Sequence, residues 1–509
     1  MPLDRKWAPA CIAAGVFVIF HAFAPPARFL QWDDAKNLLD NQMWRGLSWE
    51  NLKWMWRTRH YGPWQPLSWF SWAVDYEVWG LDAGAFRRTN IALHSITSGL
   101  FFLACRRLLP RGSCAALGAA LFFGLHPMRV ESVLWITERR DVLSGFFAVL
   151  SLYLWAEDRR RLSAFAFLGA VLSKGTAIAV IPFLFIIDIC ILRRDARKSV
   201  ISLLPHAVIG LFAACKNLGG LYTGDLPSLN LPAVDRVLVA LSGGWFYLSK
   251  TFLPFNLSPY YALSLNGDEM RLEAYLGALA ALLVSALCLH RKVRAWAAPV
   301  WFSYLIALAP VSGLLQNGRQ AAADRYSYFS CLPFAVLFGL ALERLSLPRP
   351  RAAAAVLTAT SIFLATATIF QSQYWRDDVS LWTRAVAIMP AAYLPNSNLS
   401  VALLVAGRSE EAAPYLETAI RLEPRDAQAR VNLASILAKK GAYPAAIKLF
   451  EEAVNLRPHD ASLASARYNL GILLMHERRK SDGLAQLREA ARLDPSLPPI
   501  REESRRRAR

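Results

Sequence analysis

The stretch APACIAAGVFVIFHAFAPPARFLQWDD, residues 8 to 34, joins an apolar run to an acidic pair. Residues 8 to 24 are long and apolar enough to cross a bilayer. Trp32, Asp33 and Asp34 stand where the chain leaves that run. Carboxylates are costly beside hydrocarbon, so a pair at this exit is a candidate for chemistry. A helix cap or a solvated loop would use the same residues, and position alone does not choose between these readings. No small-residue cleavage pattern precedes Pro25-Pro26, so the run reads as a retained anchor.

Working outward, the 509 residues are 55% hydrophobic, 12% aromatic and 19% charged. Apolar runs of bilayer length recur, which excludes a single soluble domain and indicates a polytopic, all-α membrane protein. The net charge of +19 does not point to nucleic acid, because many basic residues cluster at the ends of apolar spans, as the positive-inside rule requires. The seven cysteines lack CxxC spacing and the eight histidines are not paired at helical spacing. Neither a disulfide framework nor a metal cluster is implied.

Apolar length read against charge gives about eleven spans: 8 to 24, 89 to 109, 113 to 127, 141 to 156, 161 to 172, 175 to 192, 199 to 215, 272 to 290, 295 to 314, 325 to 345 and 351 to 371. A further stretch, 236 to 253, reads as re-entrant or interfacial. If the basic connections face the cytoplasm, the odd count puts Asp33, Asp34 and the carboxy-terminal region on the non-cytoplasmic side. The loop 25 to 88 holds nine of the seventeen tryptophans and is expected to lie along the membrane as amphipathic helices. It is either an aromatic belt or the roof of a groove for a lipid-borne substrate.

Beyond residue 372 the pattern changes. Pro390, Pro424 and Pro458 are 34 apart, and Pro495 follows after 37, consistent with a three-residue insertion near 461 to 463. Alanines 385, 419, 453 and 490 precede each proline by five, and Trp382, Leu416, Phe450 and Leu487 by eight. This period resembles the tetratricopeptide repeat, in which small residues let two antiparallel helices pack closely. Three full repeats, 393 to 426, 427 to 460 and 464 to 497, follow a half repeat. The domains are therefore 1–372 (membrane), 373–500 (repeats) and 501–509, a basic tail. Asn398, Asn432 and Asn469 share one phase of the first helix of each repeat. They either bond neighbouring repeats or form a ladder for a peptide backbone, similar to that of nucleocytoplasmic N-acetylglucosamine transferases.

Polar residues mark the outer ends of several spans: His60 to Leu67, His126-Pro127 with Glu131, Glu138 to Asp141, Ser173-Lys174 and Asp324-Arg325-Tyr326. Lys174, between two apolar spans, calls for an anionic ligand or an internal carboxylate partner. Together with the acidic pair and the repeats, these elements resemble the transmembrane and tetratricopeptide-repeat-containing O-mannosyltransferases. That family is related to the protein O-mannosyltransferases of the GT-C superfold. The chain departs from the family pattern at Gln65, where an arginine is usual, at Gly175, where a glutamate is usual, and in its small number of repeats.

The resemblance implies an inverting transfer from a polyprenyl-phosphate sugar to an acceptor, a protein hydroxyl held through the repeats. Asp33 or Asp34 would remove the acceptor's proton. Arg139, Arg140, Lys174 and Arg325 would hold the donor phosphate, and His126 and Glu131 would orient the acceptor. The resemblance fixes no cofactor beyond the donor substrate itself. The acidic pair could carry a divalent metal, yet no ligand cluster supports one. The expected location is a bacterial inner membrane with the repeats in the periplasm, or the endoplasmic reticulum membrane in a eukaryote. Two other classes compete: a membrane scaffold, which leaves the acidic pair and Lys174 without a task, and a lipid-linked-sugar transporter, which leaves the repeats without one.

Overall fold

The computed structural model describes residues 7–60, 62–109, 113–218, 232–263, 268–314, 320–457 and 460–497. Tyr61, Pro458 and the basic tail 501–509 lie outside them. Among the described residues the chain is helical, apart from one antiparallel strand pair, Tyr261–Ala262 with Gln320–Ala322. It divides into two compact units, Met1–Leu381 and Trp382–Arg509.

In the first unit three helices are long and apolar enough to cross a membrane: Ala196–Asn217, Arg271–Leu289 and Pro350–Trp375. The number rises to five if two bent pairs each count as one span: Ser113–Gly124 with Pro127–Leu134, bent by 51°, and Asp324–Ser330 with Leu332–Ser346, bent by 59°. The sequence led us to expect about eleven. The difference lies in helices that are short, such as Ala8–Ala22, or that carry charges inward. The 26-residue helix Ala83–Leu108 buries Arg87, which donates to the carbonyls of Pro25, Leu134 and Trp375. Its charge is satisfied inside the protein, where a hydropathy window cannot see it. Residues 236 to 253, expected to be re-entrant or interfacial, belong to one unbroken helix, Ala233–Phe252.

Close helix contact fixes part of this unit. Leu332–Ser346 packs on Ser113–Gly124 with Gly339 at the crossing, where an added Cβ would lie 2.0 Å from the Ala115 carbonyl oxygen. Only glycine lets the two backbones meet there. The tryptophan-rich loop is also more folded than expected. Trp44, Trp69 and Trp72 are fully buried and pack with Leu38, Met55, Phe86 and Ile136, while Trp49 and Trp79 remain exposed. Part of the loop thus joins a small core, because indole rings packed edge to face bury more apolar surface than rings laid singly at an interface.

The second unit opens with Trp382 and Ala385, buried near the end of Asp378–Ile388. Three helix pairs follow: Tyr393–Val405 with Ser409–Leu422, Ala427–Lys439 with Tyr443–Leu456, and Ala464–His476 with Lys480–Leu493. The alanines of the 34-residue period, Ala385, Ala419, Ala453 and Ala490, are fully buried where the helices cross. Gly407 and Gly441 take left-handed φ of 75° and 79° to close the first two hairpins, and Arg478 takes the same turn at 64° in the third. The insertion near 461 to 463 is a 3₁₀ turn, Ala461–Leu463, capped by Asp460.

Candidate functional site

The site is built on a stretch of interrupted helix. After Ser113–Gly124 the chain breaks at His126-Pro127 and passes through Pro127–Arg129, Val130–Leu134 and Ile136–Glu138 before Arg139–Ala156 begins. Every residue from 122 to 145 is buried. Irregular backbone this deep needs internal partners, and it brings charged side chains inward with it.

Glu138 is the hub. It is fully buried, and its Oε1 accepts from Arg140 Nη2 at 2.5 Å and lies 3.3 Å from Arg325 Nε, while Oε2 accepts from Lys174 Nζ at 3.3 Å. Three cations from three separate segments therefore converge on one carboxylate. Each also has a second anionic neighbour: Glu131 for Arg325, Asp141 for Lys174 and Asp33 for Arg140. Burial pushes the Glu138 carboxyl up, but Arg140, Lys174 and Arg325 outweigh it and hold the group well below the usual carboxylate range.

The acidic pair divides its work. Asp34 is buried and accepts from the Leu30 amide at 3.0 Å, the Thr137 amide at 2.9 Å and the Thr137 hydroxyl at 2.5 Å. Burial raises its carboxyl to about 6, against the pull of those bonds. Both of its oxygens are engaged by donors, so it presents none to a metal or substrate. Asp33, by contrast, keeps a side chain 24% exposed and lies 3.9 Å from Arg140 Nη2. Burial raises its carboxyl above the ordinary range, with Arg140 and Arg325 working the other way. Its neighbours are pinned on both sides, Asp34 by Thr137 and Trp32 by a stack on Trp135 with centroids 4.4 Å apart. Immediately after the pair the chain takes a π-helical turn, Ala35–Leu39, a geometry often found beside functional groups.

Of the residues marked in the sequence, the structure gathers Asp33, Arg140, Lys174, Arg325 and Glu131 around Glu138. It turns three others away. Arg139 is fully buried, donating to Ser71 Oγ at 2.7 Å, Asp75 Oδ2 at 2.6 Å, the Phe86 carbonyl at 2.8 Å and Asn90 Oδ1. Its guanidinium joins Pro66–Trp79 and Ala83–Leu108 to its own helix and offers nothing to a phosphate. His126 is likewise buried, with Nε2 2.9 Å from the Thr251 carbonyl and Nδ1 accepting from the Met128 amide at 3.3 Å. Both ring nitrogens serve the backbone, so it has none left to orient an acceptor. Asp34, as described, holds the loop.

Glu138 was visible in the sequence only as one of several polar span-end residues. Its signal is the run Glu138-Arg139-Arg140-Asp141 inside otherwise apolar sequence, which demands an internal counterion for each charge without singling out Glu138. Of the family departures, Gly175 lies against Asn217: an added Cβ would be 2.8 Å from its Nδ2, so the amide would have to shift to admit a side chain. Gln65 is buried beside the start of Pro66–Trp79.

In the repeats, Asn398 and Asn432 are half-buried and Asn469 is exposed, each on the first helix of its pair. Asn432 accepts from Gln428 Nε2 at 3.1 Å within the same helix.

A buried charge network in a helical unit with membrane-length spans, followed by helical hairpins, defines a class of repeat-bearing membrane-type proteins. The tetratricopeptide repeat family model matches residues 398–461. Protein O-mannosyl-transferase TMTC1 of Homo sapiens is 22% identical over 438 residues, 73% of this chain and 49% of its own length. A protein O-mannosyl-transferase of Caenorhabditis elegans is 23% identical over 377 residues, 71% of this chain and 54% of its own. Protein O-mannosyl-transferase tmtc2 of Xenopus laevis is 41% identical over 88 residues, 17% of this chain and 10% of its own. The chain spans about half the length of the first two relatives. It is a tetratricopeptide-repeat-containing protein similar to the O-mannosyl-transferases of the TMTC family.

Proposed function

We propose that this chain is a membrane glycosyltransferase that moves a sugar, by likeness to its relatives a mannosyl group, from a polyprenyl-phosphate donor to a protein hydroxyl on the non-cytoplasmic face. The observation that carries this reading is the convergence of Arg140, Lys174 and Arg325 beside the partly exposed carboxylate of Asp33. Asp33 takes the proton from the acceptor hydroxyl as its oxygen attacks the anomeric carbon. The bond from that carbon to the phosphate oxygen breaks, and its electron pair leaves with the polyprenyl phosphate. One displacement inverts the sugar. The cations stabilise charge on the departing phosphate, where preorganised donors act most strongly. Trp135, stacked on Trp32 and 5.4 Å below the Arg325 guanidinium, lends the site an aromatic wall.

Mass spectrometry of surface proteins from a strain lacking this chain tests the reading. Hexose-modified peptides should disappear from one set of proteins. An unchanged glycopeptide profile would sink the proposal.

The repeats supply the acceptor site in this reading. A side-chain amide both donates and accepts, so Asn398, Asn432 and Asn469 would grip an extended backbone without reading its side chains. Changing all three to alanine should lower protein glycosylation while hydrolysis of the donor by water continues at its original rate. Alanine is the better helix former, so the repeats should stay folded, which circular dichroism would verify. Normal glycosylation by the folded triple variant would make the asparagines structural.

A further inference from the structure

The second bonds of the three cations are unequal. Arg325 and Lys174 make short charge-assisted contacts to Glu131 and Asp141, whose side chains are 1% and 4% exposed. Arg140 instead faces Asp33 across 3.9 Å, and Asp33 is 24% exposed. Four carboxyl groups thus surround three cations, and each cation already has two of them as neighbours. A phosphate that enters competes with a carboxyl group for whichever cation it meets. Displacing Glu131 or Asp141 would strand a buried charge, whereas Asp33 can turn toward water at little cost.

We propose, building on the transferase reading, that Asp33 is parked on Arg140 in the unliganded site and that the phosphate of a polyprenyl-phosphate donor takes its place there. The exchange frees the base at the moment the donor is seated. Arg140 pulls the Asp33 carboxyl down against its burial; with that cation engaged by phosphate, and a new negative charge nearby, the pull is lost and Asp33 becomes a stronger base still. Little has to move. Trp32 on Trp135 and Asp34 on Thr137 fix the backbone on either side, leaving the side-chain torsions of Asp33 as the moving part.

Geranyl phosphate binding to the purified full chain in detergent, followed by calorimetry, tests the exchange. Asp33→Asn removes the competing anion, so affinity should rise about three- to tenfold even as transfer is lost. In an Arg140→Met background the same substitution should bring no gain, because the competition runs through that guanidinium. Unchanged or weaker binding by Asp33→Asn overturns the exchange, and so does an equal gain in the Arg140→Met background, which would mark a general charge effect. Asp33 is partly exposed and Asp33→Asn should fold, so that arm decides the matter even if Arg140→Met is lost to misfolding. Inorganic phosphate should bind more weakly than geranyl phosphate; equal affinity would overturn the assignment to a lipid-borne donor. A wild-type chain that binds neither probe would remove the transferase reading itself, whereas wild-type binding without the gain removes only the exchange.

Discussion

Asp33→Asn should lower sugar transfer about a hundredfold to ten-thousandfold with the fold intact, the range for loss of a positioned general base. The amide keeps the shape of the carboxylate and cannot take the proton. Transfer of labelled sugar in membranes, read beside thermal unfolding of the purified chain, measures both halves of the expectation. The wild-type rate should also depend on acidity in a stated direction. Burial raises the Asp33 carboxyl above the ordinary range, so the base is lost to protonation as pH falls through that raised value, and transfer should decline on the acid side while Asp33→Asn shows no such limb. The same change at Asp34 belongs to another category. Its carboxylate satisfies two amides and a hydroxyl, so Asp34→Asn should loosen the loop and lower stability by about 1–3 kcal/mol. Full activity in Asp33→Asn would refute the mechanism proposed above.

Arg139→Met should cost more stability than any neighbouring change, about 3–5 kcal/mol, because it leaves Asp75 without its buried cation and Asn90 without its donor. Its neighbour behaves differently. Arg140 reaches Glu138 and Asp33, and its loss should appear in donor binding. The comparison therefore separates a structural arginine from a functional one at adjacent positions. Denaturant unfolding gives the first quantity, and the rate per folded molecule of Arg139→Met, expected near that of the wild type, gives the second. A stable Arg139→Met chain that no longer binds geranyl phosphate would return Arg139 to the phosphate site.

That pair shows where sequence reasoning stops. Residues 139 and 140 carry the same charge in the same motif, yet successive side chains on a helix point about 100° apart. One faces the tryptophan-rich loop and the other faces the site, and only the packing of that loop decides which. The repeats were legible for the opposite reason. Ala385, Ala419, Ala453 and Ala490 solve one packing problem at each helix crossing, so the solution recurs at a fixed interval. Arg140, Lys174, Arg325 and Glu131 could be marked as a group because charge inside apolar sequence needs a partner. Glu138, the common partner of the three cations, could not, since nothing along the chain shows that segments near 140, 174 and 325 meet. The eleven spans read from the sequence include stretches such as 89 to 109 and 141 to 156 that adjoin the inward-facing Arg87 and Arg139, whereas three to five helices are long and apolar enough by themselves to cross a membrane.

The burial of the Glu138 network has a consequence for how the chain responds to ionic strength. Counter-ions screen charges they can approach, over about 8 Å in physiological salt, and they cannot approach a carboxylate that is wholly enclosed. The pairs on the repeats, such as Arg408 with Glu411 and Arg479 with Asp482, are open to solvent and fade as salt is added. One molecule thus carries two electrostatic regimes: a repeat surface tuned by its surroundings, and a core whose charges keep their spacing in brine as in dilute buffer.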